Sequence, residues 1–313
     1  IPCHSSRGGR WIIHLKVISG TITHMHTKKQ LKTFFELATD DTHQTPFMLV
    51  DRESIRSKCV EFKQQLPDTK LYYAMKCFND EEVLKSVDDL VDGYDVASVV
   101  EIKTLLSLGI SPERMTYSNP VKSEQDIKTA FALGISNFAF QSPSEVKKLA
   151  SNAPGATVYL RIHVSDAASE ISFSSKFGAS QHDAVVLILQ AKQAGLNPVG
   201  ITFHVGSQAE DQKVWSKALH VCNKVINECA MQGIELTLVN LGGGMPTQYN
   251  ETDPDFTTVA KSVKEAVQEN IPSLSTLAEP GRYLVADSSV IVVSIIGIEM
   301  RHGLPWLFLD TGT

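Results

Sequence analysis

Between about residue 51 and residue 280 the chain alternates short apolar runs with amphipathic stretches of helical period, in a repeat of roughly 20–40 residues. The apolar runs predict strands near Tyr72–Met75, Tyr94–Ala97, Met115–Ser118 and Phe138–Gln141. Four more fall near Val158–Ile162, Gly200–His204, Leu236–Leu241 and Thr276–Glu279. The helices between them carry clear boundary signals. Ser142-Pro143-Ser144-Glu145 reads as an N-cap serine, a proline in the first turn and a glutamate closing a capping box. Leu108-Gly109-Ile110, Leu133-Gly134-Ile135, Ala194-Gly195-Leu196 and Gln232-Gly233-Ile234 read as C-terminal endings, in which glycine turns the chain and the apolar residue folds back on the helix. Eight βα units in about 230 residues fit a closed (β/α)8 TIM barrel. The same alternation could build an open doubly wound sheet, but strand count and span favour the barrel.

Composition narrows the class. The net charge is -6 over 313 residues and no dense Lys/Arg block occurs, which argues against a nucleic-acid partner. The longest apolar candidate, 290–298, is strand-sized, so no membrane span is expected. Cys3, Cys59, Cys77, Cys222 and Cys229 are scattered, odd in number and without a C-x-x-C pair; this fits a reducing, cytoplasmic setting and no metal site. Cys59, Cys222 and Cys229 lie in helical patterns and are expected to pack, as is Cys77. Residues 1–24 lack clear periodicity, fit a signal peptide badly and read as an atypical extension before Met25. At the other end the chain stops within a strand-like pattern at Leu307-Phe308-Leu309-Asp310-Thr311-Gly312-Thr313, and a C-terminal part of the gene product is expected to be absent.

The chemically unusual residues fall where a barrel gathers its catalytic groups, at the C-terminal ends of the strands. Lys76 ends the first strand and Asp95 lies in the second; Asn119 follows the third, Arg161 lies in the fifth and His204 ends the sixth. Gly242-Gly243-Gly244 follow the seventh and Glu279 ends the eighth. A lysine closing a buried strand has a desolvated amine, which would lower its pKa and suit it to forming a Schiff base with a carbonyl cofactor. Most lysines after strands are simply solvated. Three glycines after strand seven leave backbone N–H groups open to an anion, although alone they read as a plain turn. Ser207 and Arg282 add a hydroxyl and a charged donor. Glu279 before Pro280-Gly281 would ordinarily be a solvated turn residue. Facing a pyridine nitrogen, a carboxylate at about 3 Å in an effective dielectric near 20 contributes about 5 kcal/mol towards the protonated ring. His204 reads as a core histidine or as a ring stacked on a cofactor, and Asp95 with Arg161 as a structural ion pair or as the support of Lys76.

These residues sit in motifs that resemble a known family. Tyr73-Ala74-Met75-Lys76, Tyr94-Asp95-Val96-Ala97-Ser98, Ser118-Asn119-Pro120-Val121-Lys122 and Lys176-Phe177-Gly178 are followed by Phe203-His204-Val205-Gly206-Ser207-Gln208, Leu241-Gly242-Gly243-Gly244 and Ala278-Glu279-Pro280-Gly281-Arg282-Tyr283. In this order they resemble the fold type III pyridoxal-phosphate decarboxylases, in the branch of ornithine and lysine/ornithine decarboxylases. The resemblance implies an alanine-racemase-like barrel over 51–280, with residues 25–50 and 281–313 forming part of a β-domain. It implies pyridoxal 5'-phosphate bound through Lys76, with Glu279 on the pyridine nitrogen and His204 stacked on the ring. Ser207, Gly243, Gly244, Gly281 and Arg282 would hold the phosphate end, and Asp95 and Arg161 would support the lysine and cofactor. Decarboxylation of a basic amino acid follows, with L-ornithine to putrescine in polyamine biosynthesis ahead of lysine, arginine or diaminopimelate. An amino-acid racemase would usually present arginine, not Glu279, to the ring nitrogen. A non-catalytic regulatory homologue is the alternative of another class, and Asp95 and Arg161 argue against it. Phe78, Ser118 and Met245 stand where the family usually has asparagine, alanine and phenylalanine. The family also implies a homodimer with shared active sites, completed by a later segment carrying a Cys-Asp pair and a phosphate-binding tyrosine. The chain alone is therefore expected to bind cofactor weakly and turn over poorly, with 291–298 and 306–309 exposed.

Overall fold

Parallel strands buried on both faces need near-continuous apolar runs, and the runs of this chain become such strands. The structure, a computed structural model, describes residues 10–13, 28–38, 43–164, 169–171 and 176–312. Along the chain come β1 (Arg10–Ile13), α1 (Lys28–Ala38), β2 (Phe47–Val50), α2 (Arg52–Gln65), β3 (Thr69–Ala74), α3 (Glu81–Val87), β4 (Gly93–Val96), α4 (Val99–Ser107) and β5 (Met115–Tyr117). Next are α5 (Glu124–Ala132), β6 (Asn137–Phe140), α6 (Pro143–Asn152), β7 (Thr157–Arg161), β8 (Ser169–Ile171), α7 (Gln181–Gln193), β9 (Asn197–Thr202) and β10 (Ser207–Ala209). The last are α8 (Lys213–Met231), β11 (Leu238–Asn240), α9 (Phe256–Asn270), β12 (Ser275–Ala278), α10 (Arg282–Val285), β13 (Ser289–Arg301) and β14 (Leu304–Leu309).

The chain divides into two compact units. The larger, residues 56–247 and 254–284, is a closed barrel of parallel strands in the order β3-β4-β5-β6-β7-β9-β11-β12, with β12 returning to pair with β3. All eight predicted strands are in it. Its core is made of Leu71, Tyr73, Tyr94, Met115, Phe138, Phe140, Leu160, Ile201, Phe203 and Val239, none with measurable exposure. The β8 and β10 segments form a small antiparallel ribbon outside the barrel.

Helix ends follow the local signals with one exception. After α4, Gly109 turns at φ +80° and the Ile110 N–H reaches back to the Leu105 carbonyl at 3.1 Å; the other three Gly-apolar endings make the same long backbone bond. At α6 the Ser142 hydroxyl accepts from the Glu145 N–H at 3.3 Å, as expected. The Glu145 carboxylate does not complete the capping box. It is buried against the ammoniums of Lys122 and Lys148, because a desolvated Lys122 ammonium needs a counter-charge.

The smaller unit comprises residues 1–55, 248–253 and 285–313. Its long strand β13 pairs antiparallel with β1 and β2 through its first half and with β14 through its second. Residues 10–13, within the stretch read from sequence as an atypical extension lacking clear periodicity, form a strand of this sheet; the rest of 1–24 lies outside the described residues. Asp310 ties the unit together, accepting from the Thr45 hydroxyl at 2.6 Å and from the Ser294 N–H at 2.9 Å. Exposure of the apolar strands begins later than expected. Val292 and Val293 are buried, whereas Ile296 and Ile298 are 69% and 64% exposed, and Trp306 on β14 is 51% exposed. Among the described residues no helix is long and apolar enough to cross a membrane.

Candidate active site

Seven of the eight barrel strands place a chemically active side chain, or the glycine run, at their C-terminal ends. Lys76 lies just beyond β3, in a single 3-10 turn (Met75–Cys77) entered from extended Ala74, so the strand stops one residue short of the predicted Met75. Its Nζ donates to Asp95 Oδ2 at 2.7 Å. Asp95, on β4, is buried, with a side chain 1% exposed, whereas the Lys76 side chain is 55% exposed at the open end of the barrel. Protein nevertheless surrounds the ammonium at longer range. Burial is the largest single influence on it and acts to lower its pKa, but Asp95 and Glu279 together outweigh this and raise it above the ordinary lysine value. This reverses the direction expected from desolvation alone: two buried carboxylates hold the proton on Lys76.

Glu279 follows β12 and is buried. Its Oε1 accepts from Ser118 Oγ at 2.5 Å and from Asn240 Nδ2 at 2.6 Å. Burial, and then the Asp95 charge, push its carboxyl up to about 7 against the opposing pull of Lys76 and the two donors. Arg161, the last residue of β7, makes no ion pair with Asp95 among the described residues, so the structural pair considered from sequence does not form. Its guanidinium carbon instead lies 5.7 Å from the centre of the Phe177 ring; burial lowers its pKa, opposed by the charges of Glu279 and Asp95. Asn119 is a loop-building residue here: its carbonyl accepts from the Lys122 ammonium at 2.8 Å.

His204 stands two residues past β9, with Nδ1 accepting from the Gly206 N–H at 3.0 Å, so that the neutral imidazole carries its proton on Nε2. Gly243 lies directly against it. A Cβ there would fall 2.8 Å from the Glu279 carbonyl oxygen and 3.2 Å from His204 Nε2. At Gly244, φ is +98° and a Cβ would come within 2.3 Å of the Gly206 carbonyl oxygen. Gly242, Gly243 and Gly244 therefore lie flush between the β9 and β12 ends, where no side chain fits. Gln208 braces this segment by exchanging hydrogen bonds with Thr247, at 2.7 and 3.0 Å, while itself held at φ +56°. Ser207 and Arg282 meet on the same side, Arg282 Nε donating to Ser207 Oγ at 3.0 Å. Gly281 packs on the Lys76 turn, where a Cβ would approach Cys77 Cβ to 3.0 Å. The Cys77 thiol is pushed up to about 11 by burial, in keeping with packing and not with reactivity.

Sequence reasoning missed Asn240 and the role of Ser118. The only signal for Asn240 was a polar residue inside the apolar run Leu238-Val239-Asn240-Leu241, and Ser118 registered only as a departure from a usual alanine.

Residues 52–286 match the profile of the pyridoxal-dependent decarboxylases, over their pyridoxal binding domain, and the chain belongs to that family. It is 33% identical over 269 residues to a lysine/ornithine decarboxylase of Selenomonas ruminantium, covering 86% of this chain and 68% of that protein. It is 35% identical to a probable ornithine decarboxylase of Dictyostelium discoideum, covering 82% of this chain and 55% of the relative. Antizyme inhibitor 2 of Xenopus laevis is 32% identical, with 82% and 57% covered. The chain thus spans little more than half the length of two of these relatives. Among solved structures, lysine decarboxylase from Selenomonas ruminantium superposes with a TM-score of 0.82 at 32% identity, covering 91% of this chain and 74% of that one. Arginine decarboxylase of Paramecium bursaria Chlorella virus gives 0.84 at 26% identity, with 89% and 75% covered.

The site fits the family's cofactor, pyridoxal phosphate, on its own terms. Lys76 offers an accessible amine, Asp95 Oδ1 is a buried oxygen without a hydrogen-bond partner, and Glu279 is a buried carboxylate. The glycine segment leaves a surface that any Cβ would fill.

Proposed function

We propose that the protein decarboxylates a basic amino acid with pyridoxal phosphate, and that L-ornithine, giving putrescine, is the preferred substrate. The observation that carries the reading is the convergence of Lys76, Asp95 and Glu279 at one end of the barrel, with Lys76 and Asp95 2.7 Å apart. When bound, pyridoxal phosphate supplies an electron sink for the pair released as the α-carboxylate leaves. Lys76 would hold the cofactor through Nζ. Asp95 orients that amine and holds its proton between turnovers. Glu279 would hold a proton at the ring nitrogen, His204 would support the ring, and Arg161 would balance the buried negative charge. Ser207, Gly243, Gly244, Gly281 and Arg282 would hold the phosphate end, through backbone N–H groups and the guanidinium.

The Ser118–Lys122 and His204–Gln208 motifs lean towards ornithine or lysine over arginine and diaminopimelate, and ornithine is named in both decarboxylase relatives, one of them a lysine/ornithine and the other a probable ornithine decarboxylase. Lysine, arginine and diaminopimelate remain the competing substrates. Regulation without catalysis is the second reading, favoured by the similarity to antizyme inhibitor 2 and opposed by the intact set of Lys76, Asp95, Arg161 and Glu279. The reading includes a homodimer with shared active sites and, from the free thiols, a cytoplasmic location.

The test is diamine release by the full-length gene product from ornithine and lysine, assayed side by side with and without added pyridoxal phosphate. Cofactor-dependent putrescine formation exceeding cadaverine formation is expected; absence of any diamine with cofactor bound would favour the regulatory reading.

A further inference from the structure

Glu279 is held by more than its proposed task requires, and the way it is held decides where its proton can sit. Two donors converge on a single oxygen, Oε1: Ser118 Oγ at 2.5 Å and Asn240 Nδ2 at 2.6 Å. The orientation of the Asn240 amide is fixed at its other end, where the Gly242 N–H donates to Oδ1 at 2.8 Å and only an oxygen can accept. Asn240 therefore presents an N–H to Glu279.

The hydroxyl protons can be counted in the same way. Ser118 has one, and it goes to Glu279. The 3.1 Å contact between Ser118 Oγ and the Tyr159 hydroxyl then requires Tyr159 to donate. With its proton so used, Tyr159 must accept from Thr116 Oγ1 at 2.9 Å. The run Thr116 to Tyr159 to Ser118 to Glu279 has one direction for as long as Oε1 accepts, and all four residues are buried. Burial, and then the Glu279 charge, keep the Tyr159 phenol protonated far above its ordinary range, so it remains a donor. Both acceptor positions of Oε1 are filled, and among the described residues Oε2 makes no hydrogen bond. Lys76, Asp95 and Arg161 are the charged groups that also act on this carboxyl.

We propose that Thr116, Tyr159, Ser118 and Asn240 are positioning residues that saturate Oε1 of Glu279 and so make Oε2 the one oxygen through which it shares a proton with the ring nitrogen of bound pyridoxal phosphate. This rests on the reading of Glu279 as the partner of that nitrogen.

The experiment has two arms. Infrared difference spectroscopy of the cofactor-free protein follows the Glu279 carboxyl from roughly pH 5 to pH 9, the range that brackets a raised carboxyl. Absorbance of the loaded protein follows the cofactor over the same range. Ser118→Ala removes one donor and disconnects the two behind it, so the carboxyl midpoint rises by about one pH unit, about tenfold in acidity. Tyr159→Phe and Thr116→Val shift it less, in the same direction, and Ser118→Thr restores it. A midpoint that stays within about 0.2 pH units in both Ser118→Ala and Tyr159→Phe overturns the proposal, since loss of a donor to a carboxylate must show. Glu279→Gln separates the two layers. If it leaves the cofactor spectrum unchanged, the reading of Glu279 fails, whatever the infrared arm gives. If it changes the spectrum and Ser118→Ala moves nothing, only the positioning network fails.

Discussion

Replacing Glu279 by glutamine should make the cofactor-free protein more stable at neutral and alkaline pH. The carboxyl has an ordinary value of 4.5 and is pushed up to about 7 in the folded protein, burial being the main cause. The folded state therefore binds this proton more tightly than the unfolded chain. Between these two values the unfolded chain has released its proton while the folded protein still holds it, so stability falls as pH rises through that window. At about 1.4 kcal/mol per pH unit, the gap corresponds to about 3 kcal/mol of stability, fully present below the unfolded value and lost in full above the folded one. Glutamine is nearly isosteric, keeps a carbonyl oxygen to accept from Ser118 and Asn240, and carries no charge; Lys76 retains Asp95 as partner at 2.7 Å. Urea unfolding of wild type and Glu279→Gln, read by circular dichroism at a series of pH values, should give curves that meet near pH 4 and diverge to about 3 kcal/mol by pH 8. Parallel curves at every pH would refute the assignment of a raised, buried carboxyl.

Asp95→Asn removes the strongest influence holding the proton on Lys76, so competitive acetylation of the Lys76 peptide across pH should show its titration moving down by about one unit or more. Gly243→Ala puts a methyl 2.8 Å from the Glu279 carbonyl oxygen and 3.2 Å from His204 Nε2, and should weaken pyridoxal phosphate binding, measured by equilibrium dialysis, by about tenfold or more through a displaced glycine segment. Lys122→Met strips donors from the carbonyls of Asn119 and Ala139 and a counter-charge from buried Glu145, and should cost about 3 kcal/mol in urea unfolding at pH 7.

The barrel was legible because its strands are buried on both faces, and a strand such as Phe138–Phe140 has to be apolar at every position. Helix endings such as Leu108-Gly109-Ile110 were legible because their geometry is local. What could not be read depends on closure. Ser118 and Glu279 are 161 residues apart, and nothing near either names the other. Tyr159 and Asn240 sit within apolar runs as polar exceptions, which sequence alone cannot tell from tolerated substitutions. The proton affinity of Lys76 was misjudged for a related reason. Burial is visible in a strand pattern, but the two carboxylates that outweigh it arrive from β4 and from the end of β12. Glu145 shows the same limit at a helix start, since its local capping partner lost to a buried ammonium one βα unit earlier.

Lys76 is the residue on which the whole reading turns, and it can be tested directly. The protein is loaded with pyridoxal phosphate, reduced with borohydride, digested and mapped by mass spectrometry. The phosphopyridoxyl mass should appear on the peptide containing Lys76 and be lost in Lys76→Ala. Label on another lysine, or label that survives Lys76→Ala, would contradict the account.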